Sequence, residues 1–446
     1  MLPKSDIITA IATAPGRGGI GVVRVSGCNI EKIIKGIVVT PPAARVASFR
    51  SFLDENATVI DQGLVLYFPG PHSYTGEDTF ELQGHGGPAV LQLVLQRCLQ
   101  LGARLALPGE FTQRAFLNNK LDLAQAESVA DLIDATTSQA AQSAMRSLVG
   151  DFSKVIYSLV SDLIDLRMLV EAMLDFPEEE LDIPDYTRRD TKLATISAKL
   201  TNTLALAQQG SLLREGAHVV LIGQPNVGKS SLLNGLSGEE VALVSDVAGT
   251  TRDVIRQTIQ LKGVPIHIID TAGLRESTDT VELMGIAKTR TTILKADAIL
   301  LMIDSTKGLS TNDEKIIKEL PTGIPVIKVF NKVDLSNDSV HIEQQDAIDC
   351  IYLSAKTGEG MDLLREKLLS LIGWHQESGV FMARERHLRA LLLAQSHLDC
   401  ATRVSSHAEF FAEELRLSQD ALNSITGEFS ADDLLGEIFS RFCIGK

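Results

Sequence analysis

Residues 223–230 read Gly-Gln-Pro-Asn-Val-Gly-Lys-Ser and follow the apolar stretch HVVLIG. The spacing is that of a G-x-x-x-x-G-K-S phosphate-binding loop, and the next segment, SSLLNGL, predicts a helix. The backbone amides of such a loop surround a β-phosphate at the helix start, its lysine neutralises phosphate oxygens and its serine hydroxyl ligates Mg²⁺. The sequence therefore predicts a nucleotide site that contains Asn226, Val227, Gly228, Lys229, Ser230 and Ser231.

Three further motifs indicate that the nucleotide is GTP. The Asp334 carboxylate of NKVD can accept hydrogen bonds from N1–H and the exocyclic amine of guanine, a pair that adenine lacks. In DTAG, a carboxylate can hold Mg²⁺ through water and a glycine amide can contact the γ-phosphate. SAK supplies a backbone contact to the guanine oxygen. Each motif ends an apolar strand, as expected at the switch-point crevice of an open α/β sheet. The remaining predicted residues are Asn331, Lys332, Asp270, Thr271, Ala272, Gly273, Ser354, Ala355 and Lys356.

Hydrolysis requires a polar group that orients the attacking water. Many GTPases have Gln directly after DTAG, but this chain has Leu274, whose apolar side chain cannot orient water. The polar candidates nearby, which could equally be ordinary solvated loop residues, are Glu276, Asp279, Glu282, Arg252 and Asp253.

Two metal sites are predicted beside the phosphates. Thr251 stands where a switch threonine could complete the Mg²⁺ coordination begun by Ser230. Asn226 places a carbonyl oxygen beside the β- and γ-phosphates. A monovalent cation held there would do the electrostatic task of an arginine finger.

The periodicity of the chain changes three times and predicts a multidomain protein. Residues 1–118 show short glycine-bounded strands and an amphipathic helix after Pro88, which indicates an α+β domain. Residues 216–373 alternate apolar strands with helices, which predicts an α/β domain with a mostly parallel sheet. Residues 119–215 and 374–446 have helical spacing, including an apolar stripe from Val149 to Met173. We expect these two segments to form one helix bundle into which the α/β domain is inserted.

Composition limits the partners and the compartment. A net charge of −15 disfavours non-specific binding to nucleic acid, so a nucleic-acid partner must meet a local patch or a second subunit. The five cysteines are scattered and lack metal-ligand spacing, which favours a reducing compartment. No apolar run approaches the roughly 20 residues that span a bilayer. We therefore expect a cytoplasmic protein without membrane contact.

The chain ends with RFCIGK, which places Cys443 at the position of a prenylated cysteine. The final Lys446 does not fit a C-a-a-X signal. Two interpretations remain at this point: a frayed tail, or a reactive end that is delivered to a site elsewhere.

The whole chain resembles the MnmE (TrmE) family of tRNA-modification GTPases. The resemblance is carried by TAPGRGGIGVVRVSG, SYTGEDTFELQGHGGP, LPGEFTQRAFLNNKLDLAQAESVADLIDA, GQPNVGKSSLLN, DVAGTTRD, DTAGLRE and the final CIGK. It implies a GTPase that helps to install an aminomethyl-type or carboxymethylaminomethyl-type group on the wobble uridine of certain tRNAs. It also implies an N-terminal folate-binding and dimerisation domain, a homodimer, and the FAD- and NADH-using partner MnmG (GidA). The one-carbon unit would come from 5-formyltetrahydrofolate or methylenetetrahydrofolate.

The resemblance also implies residue roles. Glu282 would orient the water, and potassium would be held by Asn226 and the SDVAGT loop when two GTPase domains pair. Cys443 would lie near the folate pocket, where its thiolate either adds to the uridine ring or is a spectator. The loop residues are Ser245, Asp246, Val247, Ala248, Gly249 and Thr250, of which Ser245, Val247 and Thr250 would contact K⁺. The folate-binding positions would be Arg24, Glu81, Lys120 and Lys446. Ser245 and Gln224 depart from the usual Thr and Arg of the family.

Two other classes of function stay open on the residues alone. A ribosome-assembly GTPase would share the phosphate site without modifying anything, although it usually carries a basic RNA-binding appendage. A folate-dependent enzyme regulated by GTP would transfer its one-carbon unit without the nucleotide.

Overall fold

The computed structural model describes most of the chain. The described residues are 6–175, 183–237, 256–270, 294, 296–321, 323–336, 338–345, 348–375, 379–427, 432–440, 442–443 and 445. The chain divides into two compact units. One comprises Met1–Ile133, Met145–Leu200 and Arg389–Lys446, and the other comprises Asp134–Ala144 and Thr201–Leu388. The boundaries expected from the periodicity stay a prediction.

The first unit begins with a six-stranded sheet. Its strands are β1 (Ile8–Ile11), β2 (Gly18–Gly27), β3 (Ser48–Leu53), β4 (Val59–Phe68), β5 (Asp78–Gly86) and β6 (Arg104–Leu105), in the order β3-β4-β5-β2-β1-β6. All neighbours are antiparallel except β1 and β6. Helices α1 (Glu31–Ile37) and α2 (Pro88–Gln100) contribute buried side chains to the core that this sheet forms. Pro88 starts α2, where its missing N–H costs no hydrogen bond.

A series of helices follows the sheet. They are α3 (Glu110–Leu117), α4 (Leu123–Asp134), α5 (Ser138–Leu148), α6 (Asp151–Asp175) and α7 (Ile183–Glu215), of which α6 and α7 are the longest. The predicted apolar stripe is buried along α6 from Phe152 to Val170. The prediction that Val149 begins this buried stripe was wrong, because Val149 lies in the turn before α6 and is 52% exposed.

The second unit contains a seven-stranded sheet. Its strands are β7 (Ala217–Gly223), β8 (Arg256–Leu261), β9 (Val264–Asp270), β10 (Ala298–Asp304), β11 (Val326–Asn331), β12 (His341–Gln345) and β13 (Ile348–Leu353), in the order β12-β13-β11-β10-β7-β9-β8. The five inner strands are parallel, and β8 and β12 are antiparallel edges. Every residue of β10 is buried, as a central strand covered on both faces requires. Among the described residues, three helices alternate with these strands or follow them: α8 (Lys229–Ser237), α9 (Thr311–Glu319) and α10 (Met361–Leu371).

The chain ends in the helices α11 (Glu385–Arg403), α12 (Ala408–Thr426) and α13 (Asp432–Ser440). Helix α12 packs against α6, and Nη1 of Arg167 donates to Oε1 of Gln419 across 2.7 Å. Helix α13 packs against α3. Helices from before and after the α/β segment therefore share one unit. Within the described ranges, no helix has the length and apolar character needed to cross a bilayer.

Candidate functional site

The phosphate-binding loop joins the carboxyl end of β7 to α8. Asn226 and Gly228 adopt left-handed backbone angles, with φ of 64° and 101°. A Cβ atom at Gly228 would stand 2.3 Å from Nδ2 of Asn331. Glycine is therefore required at this point both by the backbone angle and by the close approach of a side chain.

Lys229 lies over the loop that precedes it. Its Nζ donates to the carbonyl oxygen of Gly223 at 2.8 Å and lies 3.4 Å from that of Gln224. Ser230 and Ser231 lie in the first turn of α8, and both are exposed. The start of a helix presents backbone N–H groups and a positive dipole end, so a cation and two hydroxyls are placed where an anion is favoured.

Asn331, the last residue of β11, joins the nucleotide motifs to one another. Its Nδ2 donates to the carbonyl oxygen of Val227 at 2.8 Å, and its Oδ1 accepts from the backbone amide of Ala355 at 2.9 Å. The Asn331 side chain is buried, as is Val227. The phosphate loop and the segment after β13 are thus held on opposite ends of one amide.

Lys332 follows with a left-handed φ of 74°. Its Nζ donates to the carbonyl oxygen of Asn226 at 2.8 Å and to Oδ2 of Asp304 at 2.6 Å. Burial of Asp304 acts to raise the pKa of its carboxyl, but hydrogen bonds from Lys332 and Thr306 outweigh burial and hold that pKa below its ordinary value. Asp304 is therefore an anion at neutral pH.

The base-recognition residues lie together. Oδ1 of the Asp334 carboxylate accepts from Oγ of Ser354 at 2.6 Å, and Asp334 is exposed. Ser354 is fully buried and also accepts from the backbone amide of Thr357 at 3.2 Å, whereas Lys356 is exposed. Ser354 thus fixes one oxygen of the carboxylate and leaves the group open to a ligand.

The rest of the predicted nucleotide and metal site lies outside the described residues. Outside the described residues lie Glu282, which would orient the water, and the SDVAGT loop. The same is true of Thr251, the second Mg²⁺ ligand, of Arg252 and Asp253, and of the DTAG residues after Asp270. Of Asp270 itself the structure describes the backbone, as the last residue of β9. Within the described ranges, no group of three or more His, Cys, Asp and Glu side chains could hold a metal ion.

A second polar cluster lies on the N-terminal sheet. Arg24 on β2 faces Glu81 on β5, and its Nε and Nη2 lie 2.9 Å and 2.8 Å from Oε1. The guanidinium carbon of Arg24 stands 5.5 Å from the ring centre of Tyr74 and 5.7 Å from that of Phe111. Two of the four predicted folate-binding residues thus form one ion pair beside aromatic rings.

Lys120 contacts the loop that carries Tyr74. Its Nζ donates to the carbonyl oxygen of Pro71 at 3.0 Å, while the side chain stays exposed. The hydroxyl of Tyr74 lies 2.7 Å from that of Thr112 on α3. Lys120 is thus placed near this loop rather than in direct contact with the Arg24–Glu81 pair.

The C-terminal tail is docked on the same unit. Cys443 is exposed, and its carbonyl oxygen accepts from the backbone amide of Gly109 at 3.4 Å. A Cβ at Gly445, where φ is 100°, would stand 2.4 Å from the carbonyl oxygen of Ile11 on β1. Because β1 pairs with β2, the tail lies beside the strand next to Arg24. Lys446 lies outside the described residues.

Sequence reasoning missed several residues of these clusters. Asp304 carries no motif, although an acid that ends the most buried strand of a parallel sheet is a signal that could have found it. Tyr74 and Phe111 left no signal in the spacing, because they meet Arg24 only through the tertiary fold. Gly109, at φ 66°, is needed because a Cβ there would stand 2.7 Å from the carbonyl oxygen of Phe439.

Two family models match the chain. The model described as GTP-binding protein TrmE N-terminus matches residues 7–120, and the MnmE helical domain model matches residues 123–443. The tRNA modification GTPase MnmE of Nitrosomonas europaea is 58% identical over 451 residues, which cover 100% of each chain. The protein of the same name from Nitrosospira multiformis is 58% identical over 452 residues, again with 100% coverage of both.

Solved structures match more distantly. A point variant of Aquifex aeolicus Era bound to GDP.AlF4⁻ is 27% identical, with a TM-score of 0.29, and the match covers 41% of this chain and 66% of that one. The G domain of the T. maritima FeoB iron transporter is 27% identical, with a TM-score of 0.27, and the match covers 35% of this chain and 98% of that one. At these TM-scores the likeness adds nothing to the assignment, which rests on the full-length relatives. From those relatives and the helical-domain model, the chain belongs to the tRNA modification GTPase MnmE family.

Proposed function

We propose that this chain hydrolyses GTP at the loop of residues 223–230 and uses the hydrolysis in modification of the wobble uridine of tRNA. The product would be a uridine with an aminomethyl-type or carboxymethylaminomethyl-type group on C5. The observation that carries the proposal is the junction at Asn331, which holds the phosphate loop and the segment after β13 on one side chain. A ligand that has both phosphates and a base needs its phosphate-binding region and its base-binding region at a fixed distance and orientation.

The described residues support distinct tasks in binding. The Asp334 carboxylate, fixed at one oxygen by Ser354, selects guanine because it can accept two N–H groups. Lys229 and the amides at the start of α8 stabilise negative charge on the phosphates. We assign orientation of the attacking water to Glu282, with Arg252 and Asp253 as further catalytic groups.

The residues at the loop fit two metal ions. Ser230 is exposed in the first turn of α8, so its hydroxyl is available as a Mg²⁺ ligand, and Thr251 would be the second protein ligand. Asn226 is exposed at its left-handed turn, so its amide oxygen is available to K⁺ together with Ser245, Val247 and Thr250. When bound, these cations offset charge that develops on the phosphates. Equal rates of hydrolysis in K⁺ and in Na⁺ would remove potassium from the proposal.

The Arg24–Glu81 cluster is our proposed site for a tetrahydrofolate derivative, either 5-formyltetrahydrofolate or methylenetetrahydrofolate. The pair offers donors and acceptors for a pterin, with aromatic rings on its flank. Lys120 and Lys446 would meet the carboxylates of the ligand, and Cys443 would bring its thiol to the same pocket. Titration calorimetry with 5-formyltetrahydrofolate tests this, and an Arg24→Gln variant that binds as tightly as the native chain would refute it.

The remaining assignments concern partners. We propose a homodimer that acts with the flavoprotein MnmG on tRNA. The net charge of −15 favours sharing the tRNA with a partner over binding it alone. Size-exclusion chromatography of the pure chain, with and without MnmG, measures both associations. A chain that elutes as a monomer and forms no complex with MnmG at micromolar concentration would contradict them.

One genetic comparison separates the classes of function. Wobble nucleosides are measured in tRNA from cells that carry the native chain, Lys229→Ala or Cys443→Ser, with Lys307→Ala and Cys28→Ser as exposed controls. We expect Lys229→Ala and Cys443→Ser to lose the modification and both controls to keep it. Unmodified tRNA with Cys443→Ser alone would favour a folate enzyme regulated by GTP. Normal nucleosides in every strain would favour a GTPase switch of the ribosome-assembly kind.

A further inference from the structure

The segment from Asp304, at the end of β10, to Ser310, before α9, is linked to the phosphate loop in two ways, once through Lys332 and once directly. At one end, Oδ2 of Asp304 accepts from Nζ of Lys332, which also donates to the carbonyl oxygen of Asn226. At the other end, Nε2 of Gln224 donates to Oγ of Ser310 at 2.6 Å. The loop is therefore held at Gln224 by Ser310 and at Asn226 by Lys332, whose ammonium group is fixed by Asp304, and neither Ser310 nor Asp304 belongs to a nucleotide motif.

The Asp304 carboxylate is fixed independently of the loop. Its Oδ1 accepts from the backbone amide of Thr306 at 3.1 Å and from the hydroxyl of Thr306 at 2.6 Å. The residue is 9% exposed at the end of the fully buried strand β10. A carboxylate held at one oxygen by its own turn and at the other by a lysine is a rigid anchor.

The two residues that Asp304 helps to hold, Asn226 and Lys332, have unfavourable backbone conformations. Asn226 and Lys332 are both non-glycine residues in the left-handed region, with φ of 64° and 74°. Such residues persist only where surrounding contacts determine them. The bond from Lys332 to the Asn226 carbonyl joins the two, and Asp304 fixes the ammonium that makes it.

We propose that Asp304 is a positioning residue for the nucleotide: it acts through Lys332 to hold the turn at Asn226, and thereby slows release of GDP. This rests on the proposed function of the loop as a guanine-nucleotide site. It assigns a role in nucleotide retention to a residue outside the motifs that contact the ligand.

The direction of the effect distinguishes positioning from simple electrostatics. A carboxylate near phosphates repels them, so its neutralisation by itself would tighten nucleotide binding. Positioning predicts the opposite, because loss of the charge frees Lys332 and loosens the loop. A change that removes a repulsion yet weakens binding acts through the arrangement of Lys332 and the loop, and not through the charge of Asp304.

The test uses the full-length chain loaded with fluorescent mant-GDP and chased with excess GDP in a stopped-flow instrument. Asp304→Asn keeps the shape of the side chain and removes its charge. We expect release about tenfold faster, the scale of one lost charge-assisted hydrogen bond. The double variant with Lys332→Met should release GDP no faster than Lys332→Met alone, because both changes remove one interaction. Unchanged or slower release from Asp304→Asn, or additive effects in the double variant, overturns the proposal.

Two further variants make the result decisive. Asp362→Asn, at a side chain 90% exposed on α10, is the matched control and should release GDP at the native rate. Thr306→Val decides the question if Asp304→Asn fails to fold: removing the hydroxyl donor should speed release about two- to threefold, and an unchanged rate overturns the proposal. If the native chain and the control bind mant-ADP as well as mant-GDP, the proposed guanine site itself is wrong.

Discussion

Nδ2 of Asn331 donates to the carbonyl oxygen of Val227 across 2.8 Å, between residues 104 positions apart in the chain. The same side chain accepts from Ala355 through Oδ1. The amide is buried, so water cannot easily take its place. Truncation of the side chain would therefore leave the Val227 carbonyl and the Ala355 amide without a hydrogen-bond partner.

Asn331→Ala should therefore destabilise the chain and weaken its binding of nucleotide together. We expect a loss of about 2 kcal/mol in the free energy of unfolding, from buried groups left unpaired, and a clear loss of affinity for GDP. Urea denaturation and titration calorimetry measure the two effects. Asn312→Ala, at an exposed position of α9, is the control. Native GDP affinity in Asn331→Ala would contradict the joining role.

Gly228→Ala should abolish nucleotide binding. Its Cβ would stand 2.3 Å from Nδ2 of Asn331 at a φ of 101°, so the loop must shift. Gly308→Ala is a matched control, since Gly308 also has a positive φ, 67°, but nothing within 4 Å of its Cβ. We expect the control to lose only about 1 kcal/mol of stability and to bind GDP. Equal binding by the two variants, measured by mant-GDP fluorescence, argues against the close approach.

A buried ion network should make the stability of the N-terminal unit depend on pH. The side chain of Glu110 is fully buried and accepts from Arg104 at 2.6 Å, Arg114 at 3.0 Å and the amide of Leu107 at 2.8 Å. Burial acts to raise the pKa of Glu110, but these hydrogen bonds lower it below 4.5. Stability from this carboxylate is thus fully present above pH 4.5 and is lost as the pH falls through the lowered pKa.

Glu110→Gln should lower the free energy of unfolding at neutral pH by about 3 kcal/mol, the cost of removing one partner from a buried ion network. The difference from the native chain should shrink below pH 4.5, where the native carboxyl becomes protonated. Urea denaturation across this range measures it, with Glu55→Gln as the exposed control. A difference that stays constant with pH would show that shape, rather than charge, sets the cost.

The cysteines should differ in reactivity. Cys443 and Cys28 are exposed, whereas Cys98 is buried and burial raises the pKa of its thiol to about 12. Iodoacetamide at mildly alkaline pH should therefore label the first two in the native chain and reach Cys98 only in urea. Peptide mass spectrometry reads out each site. Rapid native labelling of Cys98 would mean that its helix opens readily.

Glu282→Ala should lower GTP turnover by roughly a hundredfold, the scale for loss of a water-positioning group. Affinity for GTP should stay close to native, because the side chain is assigned to the water and not to the nucleotide. Steady-state hydrolysis and calorimetry separate the two. Glu276→Ala, at another acidic candidate of the same segment, is the comparison and should keep the native turnover if Glu282 orients the water. Weakened binding with normal turnover would remove Glu282 from this role.

The sequence alone determined the elements whose signals are local. The eight residues of the phosphate loop, the run of apolar residues in β10 and the stripe of α6 each lie within one short segment, so spacing was enough to predict the loop, the parallel sheet and the helix. The family resemblance and the GTPase assignment are confirmed by the full-length relatives. The fold class is confirmed by the two family models and by the two sheets of the structure. The edge strands β8 and β12 were not predicted, because an edge strand lacks the apolar run of a strand buried on both faces.

Only the tertiary structure decided which distant residues meet. Asp304 reaches the loop through Lys332, Arg24 lies beside Tyr74 and Phe111, and the tail at Cys443 passes Gly109. No spacing in the chain encodes these pairs, since each joins side chains brought together by strand order and helix packing. The local pattern of residues determines whether a segment forms a helix, a strand or a loop. The contacts that position its polar groups depend instead on how the buried faces of different segments pack.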